Sequence, residues 1–171
     1  MMDGHYIEMI AALEQHIFVA YFALLAVAVF IERRISSIVI ALFVLCSAQA
    51  MSYAISAPLL AIASHDGLHF KFVWYCFWLM SNTFFIWIMV RFHKIHQVRT
   101  TSVAQSVSLL FVVISLINAA DFIYRATINS NIFAEVYRLV TLTSTIGIVP
   151  VILYLWFFEY RKNLTAEAAG A

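Results

Sequence analysis

Glycine, proline, cysteine and charged residues are all scarce in this chain of 171 residues, which has four Gly, two Pro, two Cys and 11% charged residues. So few Gly and Pro leave no room for a flexible linker or a second, soluble domain. The charged fraction is less than half of the roughly 25% found in average soluble domains. Cys46 and Cys76 both lie in apolar runs, as small buried hydrophobic residues do, which argues against a disulfide or a metal site. We therefore predict one membrane domain over residues 1–162.

Signatures of catalysis and of internal repeats are missing as well. The sequence has no GxSxG, HExxH, P-loop or Gly-rich dinucleotide motif, and no Ser or Cys nucleophile stands recognisably beside a base. The basic residues are no more than orientation in a membrane requires, so nucleic-acid binding is set aside. No repeat suggests the inverted-repeat plan of transporters. We do not expect an enzyme and predict no cofactor.

Long apolar runs dominate the rest of the sequence, which is 64% hydrophobic with a mean hydropathy of +0.93. About 20 helical residues cross the hydrocarbon core of a bilayer. The chain is therefore predicted to be an all-α bundle of five transmembrane helices with short loops, at about residues 10–31, 35–63, 72–90, 103–124 and 133–158. The acidic opening lacks the basic start of a signal peptide, so it is expected in the mature protein. Residues 163–171 are predicted to form a disordered tail.

The basic residues favour one orientation of these spans. The loops after the first, third and fifth runs contain seven Lys and Arg, namely Arg33, Arg34, Arg91, Lys94, Arg99, Arg161 and Lys162. The opposite face has three, namely Lys71, Arg125 and Arg138. Cytoplasmic loops carry an excess of Lys and Arg, so we predict the N-terminus outside and the C-terminus inside.

A candidate ligand site lies in the stretch 116–138, where ionisable residues adjoin apolar runs. Ionisable groups at membrane depth cost roughly 2.5–3.5 kcal/mol each, so they tend to face a protein interior or a hydrated cavity. Asp121 and Arg125 are spaced i,i+4 and can pair on one helical face. The candidate ligand-binding residues share a predicted depth near the outer face and are Glu14, His16, Asn118, Asp121, Arg125 and Arg138.

Two arginines in this set would suit a carboxylate or phosphate group, because a planar guanidinium binds such groups bidentately. The set therefore predicts an outward-facing polar pocket for an ion or a small anion. The alternative interpretation is that these charges neutralise one another and hold the helix ends near the headgroups.

A second candidate site is the histidine-rich segment between the second and third runs. His65 and His69 are spaced i,i+4 if the second helix continues outward, and with Asp66 they would supply nitrogen and oxygen ligands for a metal ion. Gly67 between them favours a solvated turn instead.

Three classes of function fit these features. The first is a transport or channel-like protein, or a subunit of one, which predicts inward-facing Ser and Thr from more than one helix. The second is a sensory or regulatory membrane module that signals to a partner protein, which predicts a closed core beneath an outer pocket. The third is a structural subunit of a larger membrane complex, with paired charges and no cavity. Expected partners are the lipid bilayer and either a second copy or another membrane protein, and the expected location is a bacterial inner (plasma) membrane.

Overall fold

The computed structural model describes residues 4–63, 65, 67–128 and 132–170, and it describes side-chain environments within 15–63, 67–128 and 139–162 and at residues 65 and 136. In this part of the chain the secondary structure consists of five helices: α1 (Gly4–Glu32), α2 (Ser37–Ala63), α3 (Leu68–Ile95), α4 (Ser102–Ile128) and α5 (Ile132–Gly170). Each contains a segment long and apolar enough to cross a membrane. The predicted all-α bundle is confirmed, with five helices that by length and composition are those of an integral membrane protein.

Four of the five helices extend beyond the apolar runs that predicted them, and α2 begins two residues inside its run. The third begins at Leu68, four residues before its run, so the polar turn predicted there is shorter and His69 lies in the first turn of α3. Gly67 has a φ of 130°, so the backbone is not helical at the residue just before α3. Hydropathy marks where a helix is apolar, whereas its ends depend on such backbone breaks. Helix α5 runs to Gly170, and the disordered tail expected over 163–171 stays a prediction.

Consecutive helices pack against each other, and the fifth returns to the first. Helix α2 also contacts α4. Among the residues with described side chains, two long-range hydrogen bonds join α1 to α5: Tyr21 donates to the Thr145 carbonyl at 2.6 Å, and Trp156 Nε1 donates to Glu32 Oε1 at 3.2 Å. The residue numbers rise together in these pairs, so α1 and α5 run parallel and close the bundle.

In the described part of the chain, one apolar cluster fills the interior. Tyr21, Leu42, Met89, Val103 and Ile152 are among its most buried members. Large apolar side chains are also exposed on the outer faces of the helices, as at Phe30 and Met80. Lipid tails are as apolar as leucine, so these exposed faces are compatible with a bilayer and need no protein cover.

The two ends of the bundle differ, and we name each by a residue. The Asp121 end comprises the end of α2, the start of α3, the end of α4 and the start of α5. The Arg34 end comprises the α1–α2 and α3–α4 connections, residues 33–36 and 96–101, with the adjoining helix ends and the C-terminal part of α5.

Both connections at the Arg34 end use a left-handed residue that is not glycine. Arg33 has a φ of 51° and Gln97 a φ of 52°. The backbone N–H of Gln97 donates to the Lys94 carbonyl at 3.3 Å, and that of Val98 donates to the His93 carbonyl at 3.0 Å. This pair of bonds is the Schellman motif, which ends a helix by satisfying its last carbonyls. It stops α3 and directs residues 98–101 back toward α2.

Candidate functional site

The candidate site lies at the interface of α3 and α4. Two contacts establish how these helices are aligned with each other. Tyr75 donates a hydrogen bond to the Asp121 carboxylate, and the ring of Phe85 stacks on that of Phe111 at 5.9 Å. Residue numbers rise along one helix and fall along the other between these pairs, so the two helices are antiparallel. Trp78 is three residues after Tyr75 and Asn118 is three residues before Asp121, so these two residues lie at the same level of the bundle.

Asp121 is a buried carboxylate with two described partners. Its side chain is 1% exposed and lies about 10 Å along the axis from the end of α4, at 1.5 Å per residue. The Nε of Arg125 lies 3.2 Å from Oδ1 and 3.1 Å from Oδ2 of Asp121, so the pairing suggested by their spacing is present. Arg125 is 21% exposed and lies one turn nearer to the end of α4 than Asp121 does. Sequence reasoning missed Tyr75, which lies 46 residues away among many aromatic residues.

One turn deeper, Asn118 is 1% exposed, and neither Oδ1 nor Nδ2 has a hydrogen-bond partner in the described part of the chain. The same holds for three further buried atoms, Trp78 Nε1, Asn82 Nδ2 and Thr141 Oγ1. A buried polar group without a partner costs about 1–3 kcal/mol. The interior beneath Asp121 therefore carries several such penalties together.

These unpartnered groups lie close to one level of the bundle. Trp78 is level with Asn118, and Asn82 lies one turn further along the same face of α3. Thr141 is brought to this level by α5, because Ser102 N donates to Glu159 Oε1 at 2.8 Å and the two helices run antiparallel from that contact. Asn118 itself is about 15 Å from the end of α4.

The structure unites three of the six predicted ligand-binding residues. Asn118, Asp121 and Arg125 follow one another along a single face of α4. His16 is exposed on α1. The side chains of Glu14 and Arg138 lie outside the described residues, so their place in the site stays a prediction.

The histidine-rich segment has a different geometry from a continued second helix. Helix α2 ends at Ala63, and His65 Nδ1 lies 3.0 Å from the Ala61 carbonyl, where it caps the helix end. His69 belongs to α3, and its ring lies 4.1 Å from that of Phe70. Among the described residues no three His, Cys, Asp or Glu side chains are grouped to hold a metal ion. Asp66 lies outside them, so the metal site stays a prediction.

A second buried polar cluster, missed by sequence reasoning, lies at the Arg34 end. Ser37 Oγ lies 2.8 Å from His93 Nε2, and both residues are buried. Ser37 Oγ also accepts from the backbone N–H of Thr101 at 3.1 Å and from the Thr101 hydroxyl at 3.2 Å. His93 Nδ1 lies 2.7 Å from the Met89 carbonyl. The cluster joins α2, α3 and the α3–α4 connection.

The chemistry of this cluster is that of a structural joint. Because a carbonyl can only accept, His93 Nδ1 carries the proton and Nε2 accepts from the Ser37 hydroxyl. Both lone pairs of Ser37 Oγ are then occupied by Thr101, although the Ser–His distance alone would suit a nucleophile and its base. The Ser37 oxygen has no lone pair left to attack a substrate.

Six hydroxyl groups in the helices bond to their own backbone. Each donates to the carbonyl four residues earlier; they belong to Ser47, Thr83, Ser108, Ser115, Thr127 and Thr145. Such bonds satisfy the hydroxyl within its helix. These residues therefore do not present free hydroxyls along a path through the bundle.

No match was found for this chain among protein families, curated proteins or solved structures. Its function is inferred from the geometry of its own residues.

Proposed function

We propose that this chain is a small membrane transport or channel-like protein, or a subunit of one, that binds an ion or small anion at its Asp121 end. Asn118 carries the proposal. Its amide is buried one turn beneath the Asp121–Arg125 pair, and both polar atoms lack partners among the described residues. A buried amide of this kind calls for an explanation, and a bound ligand that completes its hydrogen bonds is one.

The chemistry of the surrounding groups favours an anion. Trp78 Nε1 and the amide nitrogens of Asn82 and Asn118 are hydrogen-bond donors, and the Thr141 hydroxyl can donate as well. The only obligate acceptor among these unpartnered atoms is Asn118 Oδ1. Arg125 adds a guanidinium on the same face of α4, and Asp121 balances its charge. A small anion is the kind of ligand that accepts hydrogen bonds from such donors.

The direction of access follows from the basic residues. With seven Lys and Arg at the Arg34 end or beyond it and three at the other, the Asp121 end faces outward in our proposal, in a bacterial inner membrane. Single cysteines introduced by His65→Cys and His96→Cys, in a background without Cys46 and Cys76, test this. A membrane-impermeant maleimide added to intact cells should label the first variant and spare the second. The reverse pattern would contradict the orientation.

The first test is thermal unfolding of the purified protein in detergent with a panel of small anions (chloride, nitrate, formate, phosphate) and of Na⁺ and K⁺. A ligand that binds only the folded protein raises its Tm. We expect one anion to do so in the wild type and to lose this effect in Asn118→Leu. The matched control is Ser115→Ala on the same helix, whose hydroxyl bonds its own backbone. No shift with any ion, or a shift retained in Asn118→Leu, would overturn the site.

The second test separates transport from sensing. It is needed because the apolar centre of the bundle favours the alternative function, a sensory module. Below the site the Phe85–Phe111 stack and the buried Met89 form a closed core, as a sensory module would have. Flux of the stabilising anion into proteoliposomes, absent in Asn118→Leu and present in Ser115→Ala, is the result expected of a transporter. Binding without flux would indicate a sensory module that signals to a partner.

A further inference from the structure

The Arg34 end contains a cavity that the proposed function does not use. Its volume is about 310 Å³, and it lies between the α1–α2 connection, the α3–α4 connection and the C-terminal part of α5. The apolar spans end or begin beside it, at Glu32, Ser37 and Lys162. The cavity is therefore at the level where a bilayer changes from hydrocarbon to headgroups.

Charges of both signs line this cavity without neutralising one another directly. Arg34 and Arg99 are exposed, and neither has a hydrogen-bond or ion-pair partner among the described residues. The carboxylates of Glu32 and Glu159 also line it. Two guanidinium groups and two carboxylates thus face one space, and no ion pair joins them in the described part of the chain.

Each carboxylate is held in place by a donor of the protein and keeps one oxygen available. Glu32 Oε1 accepts from Trp156 Nε1 at 3.2 Å, and Glu159 Oε1 accepts from Ser102 N at 2.8 Å. In both residues the second oxygen has no partner in the described structure. These oxygens can accept hydrogen bonds from a ligand, whereas the two arginines can only donate.

The wall of the cavity is fixed before any ligand arrives. Ser37 is part of this wall, and its bonds to His93 and Thr101 hold the start of α2 against both neighbouring segments. The first turn of α2 adds the partial positive charge of a helix N-terminus on the side of the arginines. Trp156 and Tyr160 line the α5 side, and such amphipathic rings are common at the interface of a membrane.

We propose that this cavity binds a phosphoethanolamine group, with Arg34 and Arg99 on the phosphate and Glu32 and Glu159 on the primary ammonium. Guanidinium groups bind phosphate bidentately, and the three N–H donors of an ammonium match free carboxylate oxygens. A cavity that is neutral overall but presents separated charges suits a zwitterion better than a simple anion. The headgroup of a phospholipid would reach this level of the bundle.

The test is the Tm of the purified protein in detergent with added phospholipids of equal chain length. We expect phosphatidylethanolamine to raise Tm by about 5 °C at saturation, given the usual scale of ligand stabilisation. Phosphatidylcholine, whose ammonium has no N–H, and phosphatidylglycerol, which has no ammonium, should do less. Glycerophosphoethanolamine, the headgroup without its chains, distinguishes a soluble ligand from a lipid. An equal effect of the soluble compound would confirm the chemistry and assign it a soluble source.

Variants assign the effect to the cavity. Arg34→Gln with Arg99→Gln should abolish stabilisation by phosphatidylethanolamine, and Glu159→Gln should remove its advantage over phosphatidylcholine. The matched control is Arg91→Gln at the same end, since Arg91 is exposed and lies over the Trp87 ring instead of the cavity. Equal stabilisation by all three lipids, a larger effect of phosphatidylglycerol, or full stabilisation of the double variant would each overturn the proposal.

Discussion

At the Arg34 end the buried side chains of Ser37 and His93 have every polar atom paired, whereas at the Asp121 end the equally buried Asn118 has neither amide atom paired within the described residues. Both ends belong to the same bundle and meet the same helices α3 and α4. The difference is therefore not a general consequence of burial in a membrane protein. Paired groups join helices and need no ligand, while unpaired ones leave hydrogen-bonding capacity for something outside the chain.

The largest expected effect comes from breaking the paired cluster. Ser37→Ala removes the hydroxyl that three groups share and leaves His93 Nε2 and the Thr101 N–H without it. At about 1–3 kcal/mol for each orphaned group, we expect the free energy of unfolding to fall by roughly 3 kcal/mol. Reversible unfolding in mixed detergent measures this.

The control for that variant is Ser47→Ala, also on α2, whose hydroxyl bonds only to the Phe43 carbonyl of its own helix. Its loss should cost less than about 0.5 kcal/mol, as most substitutions away from special contacts do. Equal losses in the two variants would show that the cluster does not join the helices.

The second-largest loss of stability is expected for Asp121→Asn, which tests whether the ion pair with Arg125 at the Asp121 end is structural. The substitution leaves the Arg125 charge without its carboxylate, while the new amide oxygen can still accept from Tyr75. Removing one partner of a buried pair costs about 3–5 kcal/mol, and the 21% exposure of Arg125 reduces this, so we expect about 2 kcal/mol.

Glu159→Gln is the matched control, because the amide oxygen keeps the bond from Ser102 N and no paired cation is left behind. The same unfolding assay should show almost no change. A loss under 0.5 kcal/mol in Asp121→Asn would mean that solvent already screens the pair, and the Asp121 end would then resemble a solvated rim.

Much of the architecture was predictable, and the reason is physical. Apolar runs report burial in lipid directly, so all five helices were predicted, and the i,i+4 spacing indicated the pairing of Asp121 with Arg125. The hydroxyl of Tyr75 was not predictable, because its partner is 46 residues away and the aromatic residues of α3 occupy all faces of the helix. Ser37 meets His93 and Thr101 across 56 and 64 residues, for the same reason. Gln97 gives no signal either, since glycine is the usual residue at such a left-handed helix end.

A smaller effect of opposite sign is expected from Asn118→Leu. Leucine has a similar volume and places no unpaired amide in the apolar interior. Without a ligand we expect the free energy of unfolding to rise by about 1 kcal/mol, because an orphaned polar group is removed. The contrast with Ser37→Ala sharpens the difference between the two ends: one buried polar residue stabilises the bundle and the other destabilises it. A loss of stability in Asn118→Leu would show that the amide is paired, and the two ends would no longer differ.

The smallest effect concerns the backbone that shapes the Arg34 end. At Gln97, whose φ is 52°, glycine removes the steric conflict between Cβ and the backbone. Its greater freedom in the unfolded chain offsets part of this gain, so we expect Gln97→Gly to stabilise the protein by about 0.5 kcal/mol. Gln105→Gly, the same change within helix α4, should instead cost about 1 kcal/mol.

Opposite signs for these two glycine variants in one thermal-unfolding assay would establish that the α3–α4 connection holds its left-handed turn in the folded protein. This turn leads directly to Arg99 and Thr101, so it positions both the cavity wall and the donors to Ser37. If both variants lost stability equally, the turn would not be maintained. The order that distinguishes the Arg34 end would then rest on Ser37 alone.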